Sequence, residues 1–420
     1  MFSAAAGEAG AAILTVLTTI IMIKVLGDTD YSTFVLAQSY MYIVDGIINF
    51  QSWAAVIKFG SERIADNDDS GLESIIKLGT IVDFSTALAG IVVALVIAPP
   101  IGRYLGWSDQ LVACSAFFSL EIIFHFSGTA VGVLRLFNHF NLVAIQRIAV
   151  GLLKFVTVIV FYVIGVEDLF LFVIVCTVAD VVGHIILTGM SISIIKKHEK
   201  ITILGIIKAP TKEYDIRFWK FAFWSNLATS VDIPVKQFDV FIMSTISYDM
   251  VAVYKIYKQI GNILVELSVP ISQSIMPQFS DLVARKKMRS CYDVMKKLHK
   301  TIIIVMTPCM IVITIISPGL LTFIFGEIYG KYFYILSLYL LIRSYALSYA
   351  PVHQLLTSLG LVKEDFIITC VSNIAYLALA LLLSKSFDIL GIVMALGTQV
   401  ILSINIKKKV IQKIIQTSEA

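Results

Sequence analysis

Residues Ile75–Ala98 read IIKLGTIVDFSTALAGIVVALVIA. Beyond Lys77 a single charged residue, Asp83, interrupts the run. About 20 apolar residues cross the hydrocarbon core as a helix. A barrel strand would alternate apolar and polar residues over about 10 positions, whereas Ile91–Ala98 is continuously apolar. The stretch reads as a membrane helix and sets the fold class, an all-α integral membrane protein. Asp83 adds a functional clue. A charge at the bilayer centre costs at least ~2.5–3.5 kcal/mol on insertion scales, so such residues face other helices or a wet cavity and mark a pathway.

The rest of the chain follows the same pattern. Of its 420 residues 58% are hydrophobic and 15% charged, against about 45–50% apolar in a soluble domain. Mean hydropathy is +0.88. Twelve segments qualify as spans: 4–26, 33–57, 75–98, 110–134, 142–164, 168–193, 218–245, 250–276, 301–325, 332–357, 365–384 and 387–406. The N-terminus lacks a basic region, short apolar core and cleavage site, and reads as the first span rather than a removable signal. With both termini inside, the cytoplasmic connections collect Arg135, Arg147, Lys196, Lys197, the run Arg285-Lys286-Lys287 and the tail Lys407-Lys408-Lys409. The outside keeps Lys24, Arg103, Lys331 and Lys385. That asymmetry predicts cytoplasmic termini and a multi-pass protein of a bacterial inner membrane.

A polar interval at roughly 194–217 parts the spans into six and six. The predicted organisation is an N-terminal six-helix lobe at 1–195, a cytoplasmic linker at 196–217 and a C-terminal six-helix lobe at 218–420 with a basic tail. An even number of spans before the split makes any repeat parallel. Asp30 and Asp249 correspond at an offset of 219, as do Ser61-Glu62 and Ser280-Asp281, and Asp168-Leu169 resembles Asp388-Ile389. Pro234, Pro270, Pro277, Pro308 and Pro351 lie in or at the ends of second-half spans, while Pro99-Pro100 are expected to end the third. The second-half prolines read as static kinks or as bends used in alternating access. Gly128 and Gly132 suit close helix packing.

Several functions are excluded. The net charge of +4 is too small for a nucleic-acid surface. Five scattered cysteines with no CxxC pair predict neither a zinc site nor a disulfide framework. There is no GxxxxGK[ST] loop and no HExxH helix. No catalytic residue, metal or cofactor is expected, and the chain is not read as an enzyme.

The intramembrane charges carry the functional reading. Lys154, Lys236, Lys255, Lys258 and Arg343 fall in apolar segments, as do Asp45, Asp83, Glu121, Asp180, Asp232 and Glu266. Glu121 and His125 are i,i+4, as are Asp180 and His184, and Asp232 and Lys236, so each pair shares a helix face. Such pairs either neutralise a charge at depth or couple protons, since a carboxylate beside His titrates near neutral pH. Asp83, Glu121, Asp180 and Asp232 are the candidates for ion coupling. Asp83 has no partner at i±3 or i±4, so its partner must come from another helix or from water. Lys255 and Lys258 are i,i+3, a spacing suited to an anion held between two ammonium groups. Lys154 and Arg343 lie near mid-span and serve as cavity cations or pair with acids, Lys154 with Glu121 or Asp180. Asp239 lies near the outer interface and is expected to snorkel. Five buried cations point to an anionic cargo.

Leu26-Gly27-Asp28-Thr29-Asp30-Tyr31-Ser32-Thr33-Phe34 resembles the signature that follows the first span of Wzx-type polysaccharide flippases. These belong to the multidrug/oligosaccharidyl-lipid/polysaccharide exporter (MOP) superfamily. Phe59-Gly60-Ser61-Glu62, Leu134-Arg135-Leu136-Phe137-Asn138, Phe238-Asp239-Val240-Phe241 and Met276-Pro277-Gln278-Phe279-Ser280 are similar to later motifs of that family. Ser32 and Asn138 stand where Gly is usual, and Phe223-Trp224 where an early proline is common. The resemblance implies two six-helix lobes, related by a parallel pseudo-repeat, around a central cavity. It implies translocation of undecaprenyl-diphosphate-linked oligosaccharide, an O-antigen or capsule repeat unit, to the periplasmic leaflet, with ion-gradient coupling. Lys154, Lys236, Lys255, Lys258 and Arg343 would then contact the diphosphate. Expected partners are the lipid bilayer, the lipid-linked sugar, and a polysaccharide polymerase with its chain-length machinery. The alternatives are a multidrug/cation antiporter of the same superfamily and a non-transporting scaffold of a polysaccharide-assembly complex.

Overall fold

The turn signals in the sequence fall where the helices break. The computed structural model describes residues 2–50, 52–198, 201–211, 215–233 and 237–419, and every regular element among them is helical. Helix α1 (Phe2–Ile48) changes direction at Gly27, whose φ of 73° needs a residue without Cβ. It is followed by α2 (Trp53–Ala65), α3 (Asp69–Leu105), α4 (Asp109–Ser119), a 3₁₀ segment (Leu120–Ser127), α5 (Gly128–Leu136), α6 (Phe140–Ile164), α7 (Leu169–Lys197), α8 (Ile203–Lys208) and α9 (Asp215–Ser230). These lie in a first compact unit, Ser3–Ile233. The second unit, Pro234–Ala420, holds α10 (Asp239–Ser244), α11 (Met250–Ala284), α12 (Met288–Phe325), α13 (Glu327–Lys331), α14 (Phe333–Ser348), α15 (Ala350–Ser358) and α16 (Val362–Glu419). Helix α16 breaks at Asp388, with φ 47°.

Among the described residues, eight helical stretches are long and apolar enough to cross a membrane. The 56-residue Gly10–Ala65 and the 54-residue Lys363–Gln416 each span about 80 Å at 1.5 Å per residue, room for two crossings. The breaks at Gly27 and Asp388 divide them accordingly. The seventh expected span, 218–245, includes residues outside those described, and the eighth, 250–276, includes residues whose side chains are not described. Lys236 lies outside the described residues, as does the side chain of Glu266.

Two expected spans are not continuous helices. The second breaks between Ile48 and Trp53, and the fourth passes through the 3₁₀ segment before restarting at Gly128. Both restarts need acceptors for their free N–H groups. Asp83 on α3 supplies them: it accepts from Ser52 N–H (2.8 Å), Ser52 Oγ (2.8 Å), Thr129 N–H (2.5 Å) and Thr129 Oγ1 (2.7 Å). Its partners do come from other helices. The α2–α5 contact is tight because Gly132 has no Cβ; one would sit 3.1 Å from Trp53 Cα and 2.9 Å from Val56 Cβ. Pro99-Pro100 do not end the third span. Helix α3 carries both prolines, runs on to Leu105 and closes at left-handed Gly106.

The polar interval after α7 is docked on α3. Glu73 Oε1 accepts from Thr202 N–H (2.8 Å), and Lys77 Nζ donates to the carbonyls of Ile207 (2.8 Å) and Ala209 (2.9 Å), capping the end of α8. Beneath it Leu72, Ile75, Ile76 and Val82 of α3 pack with Ala55, Val56, Val133, Ile201 and Phe218 in one apolar cluster.

Candidate functional site

Four positions on α6 repeat on one face: Val143, Arg147, Gly151 and Lys154. On α7 Asp180, His184 and Leu187 do the same. These faces wall a cavity of about 560 Å³ within the first unit, closed further by Thr15 of α1, Trp53 of α2, and His125, Ser127, Gly128, Val131 and Arg135 of the 3₁₀ segment and α5. Gly183 lets the helices approach, because a Cβ there would collide with Gln146 and Val150.

The charged groups of the lining are mostly cationic. Arg135, Arg147 and Lys154 line the cavity together with one carboxylate, Asp180, and with His125 and His184. Lys154 Nζ donates to Asp180 Oδ2 at 2.6 Å, tying α6 to α7. Of the partners expected for Asp180, His184 one turn away and Lys154 on another helix, it is Lys154 that donates to it across the helix interface. His184 turns to Ser127, with Nδ1 2.8 Å from Oγ, and its ring centre lies 4.5 Å from that of His125. Arg135 lies over the Trp53 ring at 4.8 Å, a cation–π contact that holds it at the cavity wall.

Glu121 does meet His125 as its spacing implied, with Oε1 3.2 Å from Nε2. His125 Nδ1 lies 2.8 Å from Asp45 Oδ1, and Asn49 Nδ2 donates to the same oxygen at 3.0 Å. Of the intramembrane charges read from the sequence, Asp45 and Glu121 thus meet at His125, and Lys154 meets Asp180. Asp83 is buried and committed to the two helix restarts. Asp232 is half-buried just past α9 and is not among the cavity-lining residues.

Lys255, Lys258 and Arg343 belong to the second unit. Lys258 Nζ donates to Asp239 Oδ2 at 2.7 Å, and the Tyr254 hydroxyl donates to the same oxygen at 2.6 Å. Asp239 is 1% exposed, so it is a buried ion-pair acceptor rather than a snorkelling residue. Lys255 is half-buried one turn away. The buried Arg343 Nε has no hydrogen-bond partner among the described residues.

Arg135, Arg147 and the two histidines as lining groups were not foreseen. Arg135 and Arg147 read as connection residues by position. The available signal was the i,i+4,i+7 register of Arg147, Gly151 and Lys154.

In fold, this arrangement of broken helices matches solved structures of membrane transporters of the MOP superfamily. The chain superposes on an inward-facing multidrug resistance MATE family transporter of that superfamily with a TM-score of 0.80, at 12% identity, covering 97% of this chain and 95% of that one. It superposes on the lipid II flippase MurJ in an inward closed conformation with a TM-score of 0.74, at 16% identity, covering 100% and 91%. In sequence, 117 residues are 26% identical to the inner membrane protein YghQ of Escherichia coli (strain K12), a match over 28% of this chain and 33% of that protein. No family model matches the chain. The eight long apolar stretches among the described residues support a multi-pass membrane protein.

Proposed function

We propose that the protein is a flippase for a lipid-linked oligosaccharide on a polyprenyl diphosphate such as undecaprenyl diphosphate, carrying an O-antigen or capsule repeat unit to the periplasmic leaflet. The observation that carries this reading is the composition of the first-unit cavity. Arg135, Arg147 and Lys154 line it together with one carboxylate, Asp180, to which Lys154 donates. An arginine grips phosphate oxygens through two parallel donors. A diphosphate entering a low-dielectric bundle needs such donors, while its lipid tail stays in the bilayer.

The reading keeps both termini cytoplasmic and two six-helix lobes, 1–195 and 218–420 joined by 196–217, that alternate in access. Lys236, Lys255, Lys258 and Arg343 belong to it as second-lobe cations, and Asp83, Glu121, Asp180 and Asp232 as coupling groups. A polysaccharide polymerase and its chain-length machinery are the partners it implies. The likeness to a multidrug resistance transporter favours a second reading, an antiporter for organic cations, but a cavity lined by two arginines disfavours a cationic cargo.

Translocation of a fluorescent polyprenyl-diphosphate sugar in proteoliposomes separates the readings. Arg135→Gln/Arg147→Gln is expected to slow it at least about tenfold, the loss of roughly 1.4 kcal/mol of binding. Full transport by the double variant, or drug efflux without lipid transport, contradicts the proposal.

A further inference from the structure

Beside the cavity the first unit brings three metal-ligating side chains together. Glu121, His125 and His184 each present one ligand atom, all within 4.8 Å of one another. Glu121 Oε1 is 3.2 Å from His125 Nε2 and 3.8 Å from His184 Nε2. Ligands placed about 2.0–2.1 Å from a tetrahedral ion lie about 3.3 Å apart, so a small closure of His184 completes three corners.

The groups behind these atoms fix their roles. The Asp45 carboxylate accepts from His125 Nδ1 at 2.8 Å, which leaves Nε2 as a lone pair in the neutral ring. Ser127 Oγ lies 2.8 Å from His184 Nδ1, and in the tautomer where the hydroxyl accepts, that Nε2 is a lone pair as well. Metal-bound histidines commonly donate their other nitrogen in this way to a carboxylate or another oxygen acceptor. Two lone pairs facing one carboxylate oxygen repel unless something positive lies between them. A second, separate observation points the same way. Glu121 is 3% exposed, and its Oε2 has no hydrogen-bond partner among the described residues. A proton between His125 and Oε1 leaves Oε2 orphaned, whereas a cation chelated by both oxygens, or carrying water, satisfies it.

Charge within the cluster agrees. Lys154 is neutralised by Asp180 at 2.6 Å, and with neutral imidazoles the charges in direct contact with the two histidines are those of Glu121 and Asp45. A divalent ion balances them inside the membrane. Two imidazoles with one carboxylate suit zinc-class metals, while magnesium and calcium take oxygen ligands. Both histidines line the cavity, which gives the ion a route and an open fourth position.

We propose that Glu121, His125 and His184, oriented by Asp45 and Ser127, form a binding site for a divalent transition-metal cation of the zinc class. The site stands independently of the headgroup reading, since it can be assayed with no lipid substrate.

The test is Co²⁺ titration of the tag-free full-length protein in detergent, followed by its visible ligand-field bands and by displacement with Zn²⁺. One equivalent should bind with the intense bands of a four-coordinate site. Glu121→Gln, His125→Ala and His184→Ala should each abolish them, while Asp45→Asn and Ser127→Ala should weaken binding about 10–100-fold. His198→Ala and His353→Ala, elsewhere in the chain, should leave it unchanged. X-ray absorption of the zinc-loaded wild-type protein should show two imidazoles, a readout that needs no variant to fold. Absence of a stoichiometric ion, spectra without imidazole, or unaltered binding in a monodisperse His184→Ala overturns the proposal and leaves protons as the occupants.

Discussion

Lys154 Nζ lies 2.6 Å from Asp180 Oδ2, an ion pair between α6 and α7 at the wall of the first-unit cavity. Both side chains are mostly covered, at 20% and 17% exposure. Removing one partner of such a pair leaves an uncompensated charge, at a cost of about 3–5 kcal/mol, whereas replacing both is often neutral. Lys154→Met should therefore lower thermal stability in detergent sharply, and Lys154→Met/Asp180→Leu should recover most of the loss. A double variant as unstable as the sum of the singles would show that the two do not act as a pair.

Asp83 bridges two helix restarts. Loss of a capping side chain costs about 1 kcal/mol per helix end, so Asp83→Ala should destabilise the first unit by at least about 2 kcal/mol. Amide hydrogen exchange should accelerate at Ser52 and Thr129 together. Faster exchange at only one of them would contradict the shared cap.

Gly132 faces the Trp53 backbone. Gly132→Leu forces α2 and α5 apart, and overpacking of this kind costs about 1–3 kcal/mol. Reduced yield and a lower melting temperature are expected. Gly189→Leu should change little, because nothing lies within 4 Å of a Cβ there. Equal effects of the two would argue against the close α2–α5 contact.

Asp68 caps α3 outside the apolar spans. Its carboxylate accepts from Gly71 N–H at 2.8 Å, with Ser70 Oγ at 3.0 Å and Arg63 at 3.3 Å. The Gly71 hydrogen bond first, then those of Ser70 and Arg63, hold its carboxyl below the usual aspartate range. The folded value lies below the unfolded one, so the cap's contribution is complete above the unfolded value and is lost as pH falls through the folded one. Asp68→Ala should cost about 1 kcal/mol at neutral pH, and the difference from wild type should vanish in acid. A difference that grows on acidification would reverse the assignment.

Membrane class and helix breaks were legible because they depend on local properties. Apolar length marks a span, and Gly27 and the Asp388-Ile389 step, the counterpart of Asp168-Leu169, mark the turns. The interruptions after Ile48 and at the 3₁₀ segment were not legible, since Asp83, distant in sequence, satisfies the freed backbone groups. Glu121–His125 followed from spacing. Lys154–Asp180 was one of two open pairings, and only the packing of α6 on α7 selects it. Arg135 and Arg147 misled because a cation near a span end satisfies the sidedness rule whether it faces water or a cavity.

The central claim is that the cavity lined by Arg135, Arg147 and Lys154 takes an anionic headgroup. Its most direct measurement is equilibrium binding of a polyprenyl-diphosphate sugar to the purified protein, against a lipid of the same chain length with a neutral headgroup. The diphosphate lipid should bind at least about tenfold more tightly, a difference of roughly 1.4 kcal/mol. Arg135→Gln/Arg147→Gln should erase that preference. Equal affinity for the two lipids in the wild-type protein, or a preference untouched by the double substitution, would contradict it.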